Sequence, residues 1–143
     1  NPILKIMYSD QPLAFYGVPK LCLAHKMYGF PFLDTNGEYG ISNRDNYVII
    51  NKSIMELKQI AAFLRTKTAL YIFEATRYRM KYLEKYAFEF IPDITCLEGF
   101  PKEPNDDNIA DYFGFDCIDR ENIAKLHKKE YEFSFMNTHT NSI

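Results

Sequence analysis

Residues 47–64 read YVIINKSIMELKQIAAFL, and this stretch decides the fold class because a strand pattern passes directly into a helix pattern. Residues 47–51 form a short apolar run rich in β-branched side chains, which predicts a buried strand. Ser53 and Glu56 form a capping box, in which each side chain satisfies an orphan amide of the first helical turn. Apolar residues at three- and four-residue spacing then predict a helix starting at Ser53. They are Ile54, Leu57, Ile60, Ala61 and Leu64.

Short strands and turns are predicted before this stretch. Residues 4–8 and 20–25 have strand patterns, separated by a segment that contains proline and glycine. The Asn36-Gly37 pair predicts a hairpin, because a type I′ turn needs positive φ at both central positions. Its arms would be residues 32–35 and 38–41.

Helices are predicted after it. They cover residues 68–78, a shorter stretch 80–88 that ends before Pro92, a stretch through 113 capped by Asn105 or Asp106, and a last stretch from Asp119 through 129. The predicted fold class is therefore α+β, with a small irregular antiparallel or mixed sheet in the N-terminal half and three to five helices following. Residues 1–135 are expected to form one domain, and residues 136–143 a loose tail.

Composition favours a globular intracellular domain. The 143 residues are 47% hydrophobic, without a long apolar run that could span a membrane and without a secretory signal. Cys22, Cys96 and Cys117 show no paired spacing, which predicts reduced, buried thiols and a cytoplasmic location. Because the chain begins with Asn1, we expect a piece of a longer protein.

Catalytic motifs are missing from the sequence. It contains no glycine-rich phosphate loop, no HExxH motif and no paired Cys/His ligand spacing. The three histidines lie far apart along the chain. We therefore expect no catalysis by this chain alone, no cofactor and no metal site.

Charge is distributed unevenly between the two parts of the chain. Residues 1–91 hold 12 Lys and Arg against 8 Asp and Glu, a net charge of +4. Residues 92–143 hold 5 against 11, a net charge of -6. This asymmetry is typical of a basic surface for phosphates beside a separate acidic segment.

Two groups of side chains are candidates for contact with DNA. In the first group, Arg44 suits guanine, while Asn43 and Asn46 suit adenine, because each can form two hydrogen bonds with the base edge. In the second group, basic side chains at a break between helices suit phosphate oxygens. The residues predicted to bind DNA are Lys20, His25, Lys26, Tyr28, Tyr39, Asn43, Arg44, Asn46, Arg77, Arg79 and Lys81. Ordinary turn chemistry and a solvated basic helix face are the alternative interpretations.

Several segments together resemble a known family. They are PKLCLAHKMYGFPFLD (19–34), GEYGI (37–41), YVII (47–50), FLRTK (63–67), FEFIPDI (88–94) and IADYFGF (109–115). This series is similar to the C-terminal target-recognition domains of type II, restriction-modification adenine-specific DNA methyltransferases. The similarity spans most of residues 18–131.

The resemblance implies a sequence-specific DNA-binding domain that is not catalytic by itself. Its partners would be double-stranded DNA and the catalytic methyltransferase domain of the same parent protein. The Asn-Pro-Pro-aromatic motif of that catalytic domain is missing, because Asn1-Pro2 is followed by Ile3. Two alternatives stay open. The 11 Tyr, 12 Phe and net charge of -2 also suit a protein-interaction or scaffold domain of phage or bacterial origin, and an unrecognised enzyme such as a hydrolase is the third.

Overall fold

The computed structural model describes residues 8–24, 31–42, 46–76 and 85–126. These residues form a three-stranded antiparallel sheet followed by helices, so the predicted α+β class is confirmed. The strands are β1 (Lys20–Ala24), β2 (Pro31–Asp34) and β3 (Asn46–Ile49). The helices are α1 (Ile54–Leu64), α2 (Lys67–Ala75), α3 (Asp106–Phe113) and α4 (Cys117–Ala124), with 3-10 segments at Lys85–Phe90 and Ile94–Cys96.

The central strand of the sheet is β1, which pairs antiparallel with β2 on one side and β3 on the other. Because successive side chains of a strand point to opposite faces, the register divides the sheet into two faces. The core face carries Leu21, Leu23, Leu33, Tyr47 and Ile49, which belong to or pack against the hydrophobic core. The outer face carries Lys20, Cys22, Ala24, Phe32, Asp34, Asn46 and Val48.

The first helix forms as predicted and covers the core face. Ser53 accepts a hydrogen bond from the Glu56 amide, and the Glu56 carboxylate accepts one from the Ser53 amide. Leu57 is completely buried, and the predicted apolar positions Ile60, Ala61 and Leu64 are buried with it. The capping box therefore sets where α1 begins, and the apolar spacing sets which side faces the sheet.

Replacing Ser53 by alanine should lower the free energy of unfolding by about 1 kcal/mol, because the Glu56 amide loses its acceptor. Chemical denaturation of the variant would measure the loss. Ser42→Ala, at an exposed position outside the helices, is the matched control and should stay within about 0.5 kcal/mol of the wild type. Equal losses for the two variants would contradict the capping role.

The predicted hairpin at Asn36-Gly37 is wrong, although Gly37 does have positive φ. Residues 38–41 form no strand, and only Ile41 makes an isolated bridge, with Ala14. The reason is that the Asp34 carboxylate accepts hydrogen bonds from the amides of Glu38 and Tyr39. Those amides are satisfied by a side chain, while β2 pairs with β1.

Three further predictions need correction. The last helix starts at Cys117 because Asp116, three residues before Asp119, caps it by accepting the Asp119 amide. Cys96 and Cys117 are exposed and Cys22 is half-buried, so the prediction of buried thiols is wrong. Residues 85–90 form a 3-10 segment instead of the end of an α-helix. The predicted strand at 4–8 lies outside the described residues except for Tyr8, which is not in a strand, and the tail 136–143 lies wholly outside them.

Within the described ranges, no helix is both long and apolar enough to cross a lipid bilayer.

Candidate nucleic-acid interface

One end of the sheet joins two of the segments predicted to bind DNA. The register pairs Leu23 with Pro31 and Ala24 with Asn46, so the end of β1 and the starts of β2 and β3 lie side by side. Segments 25–30 and 43–45, which lie outside the described residues, therefore connect to the sheet at this end, here called the recognition end. They contain the predicted DNA-binding residues His25, Lys26, Tyr28, Asn43 and Arg44.

The outer face holds two more of the predicted residues. Asn46 lies on it at the recognition end, and its side chain is half-buried. The Tyr39 ring packs edge-on against Phe32, with the ring centroids 5.6 Å apart. Phe32 pairs with Cys22 and Cys22 with Val48, so Tyr39 and Asn46 lie beside one continuous, partly exposed surface.

No family model, curated protein or solved structure matches this chain.

Lys20 lies at the opposite end of the sheet, and its predicted role in DNA contact is wrong. Its side chain is 0% exposed and forms an ion pair with Asp34, with Nζ 2.5 Å from Oδ2. The same ammonium donates to the carbonyl oxygens of Phe15 at 3.1 Å and Val18 at 3.2 Å. Because an ammonium has three donors, all are used within the fold and none is left for a phosphate.

Asp34 is the functional partner that sequence analysis missed. Its carboxylate accepts hydrogen bonds from Lys20 Nζ and from the amides of Glu38 and Tyr39. It thereby connects residues 13–18 with residues 34–41, and these two segments are here called the two-loop lobe. The only sequence signal for this role is an acidic residue at a strand end, just before the Asn36-Gly37 pair.

Backbone contacts hold the two-loop lobe together. Gly17 donates its amide to the Gly37 carbonyl at 2.8 Å, and Ile41 donates to the Ala14 carbonyl at 2.9 Å. A Cβ on Gly37 would lie 2.5 Å from the carbonyl carbon of Gly17, so only glycine allows this approach. The lobe supports the Tyr39 backbone, and through it the edge of the outer face.

The lobe also exposes apolar side chains. Phe15 has a φ of 62°, a conformation that costs a non-glycine residue about 1–2 kcal/mol. Its carbonyl accepts from the Val18 amide and from Lys20, which hold it in place. The exposed side chains of the lobe are Leu13, Phe15, Tyr16 and Val18.

The second basic group is largely used inside the fold where it is described. Lys67 donates to the carbonyl of Ala124 at the end of α4. Arg65 is partly buried, and this burial lowers the pKa of its guanidinium. Lys58, on α1, is exposed. The predicted phosphate contacts Arg77, Arg79 and Lys81 lie outside the described residues.

The outer-face thiol is not a nucleophile at neutral pH. Burial raises the pKa of Cys22 to about 11, so the thiol keeps its proton. Among residues 8–24, 31–42, 46–76 and 85–126, no cluster of three or more His, Cys, Asp or Glu side chains could hold a metal ion.

An ion pair ties the turn before α1 to the segment after Pro92. Lys52 Nζ lies 2.6 Å from Asp93 Oδ2 and 2.7 Å from Thr95 Oγ1. The hydrogen bond from Lys52, followed by that from the Thr95 hydroxyl, lowers the pKa of Asp93 to about 2. Because the folded state holds this carboxylate in its charged form, the pair stabilises the fold above the unfolded pKa.

Asp93→Asn should therefore lower stability at neutral pH, and the difference from the wild type should shrink as the pH falls from about 5 to about 2. The loss at neutral pH should stay below about 1 kcal/mol, because the Asp93 side chain is 44% exposed and solvent screens the pair. Asparagine still caps the 3-10 turn, so the variant removes mainly the charge. Urea denaturation at several pH values measures the difference, and a difference that does not vary with pH would contradict the charge pairing.

Proposed function

We propose that this chain is a sequence-specific DNA target-recognition domain of a DNA adenine methyltransferase or restriction-modification enzyme, and that it is not catalytic by itself. The observation that carries the proposal is the register of the sheet. It joins segments 25–30 and 43–45 to the same end, beside Asn46. Residues predicted to contact DNA from distant parts of the chain are thereby attached to one rigid support.

The chemistry of these residues supports two kinds of contact. Arg44 and Asn43 can each form paired hydrogen bonds with a base edge in the major groove. Lys26 and the other basic residues of the first 91 positions, with a net charge of +4, can pair with phosphates and fix the position of the domain. Tyr39 and Asn46 beside the outer face extend the polar and aromatic surface next to the recognition end.

Fluorescence anisotropy with duplex DNA at about 50 and about 200 mM salt tests the proposal, since release of counterions weakens phosphate binding as salt rises. Arg44→Ala should reduce affinity by about tenfold, the value of one good base contact. Lys58→Ala is the matched control, because it removes one exposed cation from α1, the helix that covers the core face. Absence of binding at the lower salt, or equal affinity of the two variants, would overturn the proposal.

The proposed partners are double-stranded DNA and a catalytic methyltransferase domain of the same parent protein. Methyl transfer is assigned to that domain, so the chain alone should show no transfer of a labelled methyl group to DNA. Detectable methylation by the chain alone would contradict this assignment.

A second candidate function is a protein-interaction or scaffold domain of phage or bacterial origin. The exposed apolar side chains Leu13, Phe15, Tyr16 and Val18 of the two-loop lobe favour it, because a contiguous apolar surface is typical of protein interfaces. A partner that co-purifies without DNA and is lost in Phe15→Ser would favour this function, provided that the variant remains folded and the chain fails the anisotropy test.

A further inference from the structure

Aromatic side chains form a continuous group at the end of α3. The Phe100 ring is buried against Phe63 and lies 5.2 Å from the ring of Tyr112, centroid to centroid. Tyr112 contacts Phe113 at 5.0 Å, and Phe113 stacks on Phe115 at 5.8 Å. Tyr112 is 37% and Phe113 43% exposed, so the group starts in the core and ends at the surface.

Acidic side chains surround these rings. The Tyr112 hydroxyl donates to the carbonyl of Glu98, which places Glu98 beside the ring. Asp107 and Asp111 are one helical turn apart on α3 and both are exposed. The described residues 92–126 contain three Lys and Arg against nine Asp and Glu. We call Glu98, Asp107, Asp111, Tyr112, Phe113 and Phe115 the acidic aromatic patch.

One side chain of the protein already shows what this surface accepts. The Arg120 guanidinium lies 2.9 Å from Asp111 Oδ1 and donates through Nε to the Phe115 carbonyl at 3.0 Å. α3 has no basic residue in its own last turn, so Arg120 supplies the cation that the negative end of a helix favours. A cation is thus favoured by the carboxylate, by the helix end and by the faces of nearby rings.

We propose that the acidic aromatic patch docks a basic segment of a partner protein. The aliphatic part of an arginine or lysine of that segment lies over the exposed rings of Tyr112 and Phe113, and its charged group faces Asp107 and Glu98. DNA is repelled from this surface by its carboxylates. The patch uses none of the residues proposed to bind DNA, so it stands or fails independently of the proposed function.

The test uses the full chain and a synthetic helical peptide with arginine and leucine on one face. Isothermal titration should show binding that a glutamate-for-arginine peptide and a serine-for-leucine peptide both lose. Tyr112→Ser should weaken the binding by about tenfold and Glu98→Lys by about threefold, the ranges expected for a cation–π contact and an exposed charge pair. NMR shifts of labelled protein should concentrate at residues 98 and 107–115.

Two control variants make the result decisive. Met55→Ser removes an exposed apolar side chain from α1, and Glu89→Lys makes the same charge reversal outside the patch. Both should leave the affinity unchanged. Circular dichroism identifies a variant that fails to fold, and Glu98→Lys then still tests the patch because it alters only an exposed side chain. No binding, equal losses in patch and control variants, or displacement of the peptide by duplex DNA would overturn the proposal.

Discussion

Asp34→Ala should lower the free energy of unfolding by about 3–5 kcal/mol, the cost of removing one partner from a buried ion pair. The substitution leaves the buried Lys20 ammonium without a counter-charge. It also leaves the amides of Glu38 and Tyr39 without their acceptor. Three parts of the fold lose a partner at once, so the effect should be among the largest of any single polar substitution in the chain.

Chemical denaturation measures this loss, and Asp111→Ala is the matched control. Asp111 forms its ion pair with Arg120 at the surface, where such pairs contribute about 0–1 kcal/mol. The double variant Lys20→Met with Asp34→Leu should recover part of the stability, because it removes both charges. Recovery should be incomplete because the two amides remain unsatisfied. A loss for Asp34→Ala as small as that for Asp111→Ala would show that the buried pair is not formed.

Gly37→Ala should destabilise the fold by about 3–4 kcal/mol, whereas Gly114→Ala should cost only about 1 kcal/mol. Both glycines have a φ of 68°, so both substitutions carry the same penalty for a left-handed conformation. They differ in space alone. The new methyl group at Gly37 would lie 2.5 Å from the backbone of Gly17 and Val18, and at Gly114 it would meet nothing within 4 Å.

The difference between these two variants isolates the close approach within the two-loop lobe. Overpacking against backbone atoms that cannot move away costs about 1–3 kcal/mol. Thermal and chemical denaturation of both variants measure it, and peptide-amide hydrogen exchange should rise at Gly17 and Ile41 in Gly37→Ala only. Equal destabilisation of the two variants would contradict the packing of residues 13–18 on residues 34–41.

Sequence patterns predicted those elements whose determinants lie within one helical turn. The capping box of Ser53 and Glu56 and the apolar spacing after it fix α1, because all of these contacts are local. Asn105 likewise caps α3 through Asn108, three residues away. For these helices the start and the buried face follow from the residues alone.

Elements that depend on distant contacts were not predictable in this way. Lys20 looks like a surface cation, and only its contact with Asp34, 14 residues later, shows that it is buried. The Asn36-Gly37 pair has the local chemistry of a hairpin, but the Asp34 side chain accepts the amides that a second arm would have used. A charged side chain that replaces a strand partner leaves no periodic pattern in the sequence.

The candidate site was partly predictable for a similar reason. Residue chemistry selected Asn43, Arg44 and Asn46 as base contacts and Lys26 as a phosphate contact. That segments 25–30 and 43–45 join the sheet at the same end follows from the antiparallel pairing of β1 with both neighbours, which composition cannot specify. The acidic aromatic patch likewise required the contacts between Phe100 and α3.

The start of α2 depends on a residue far along the chain. The Asp106 carboxylate accepts hydrogen bonds from the amides of Lys67 and Thr68, 39 and 38 positions earlier. In return, Lys67 donates to the carbonyl of Ala124. A genetic crossover between residues 76 and 105 would therefore separate a helix from the side chain that satisfies its first turn. The C-terminal third can be inherited or exchanged only together with α2, or with another carboxylate at the same place.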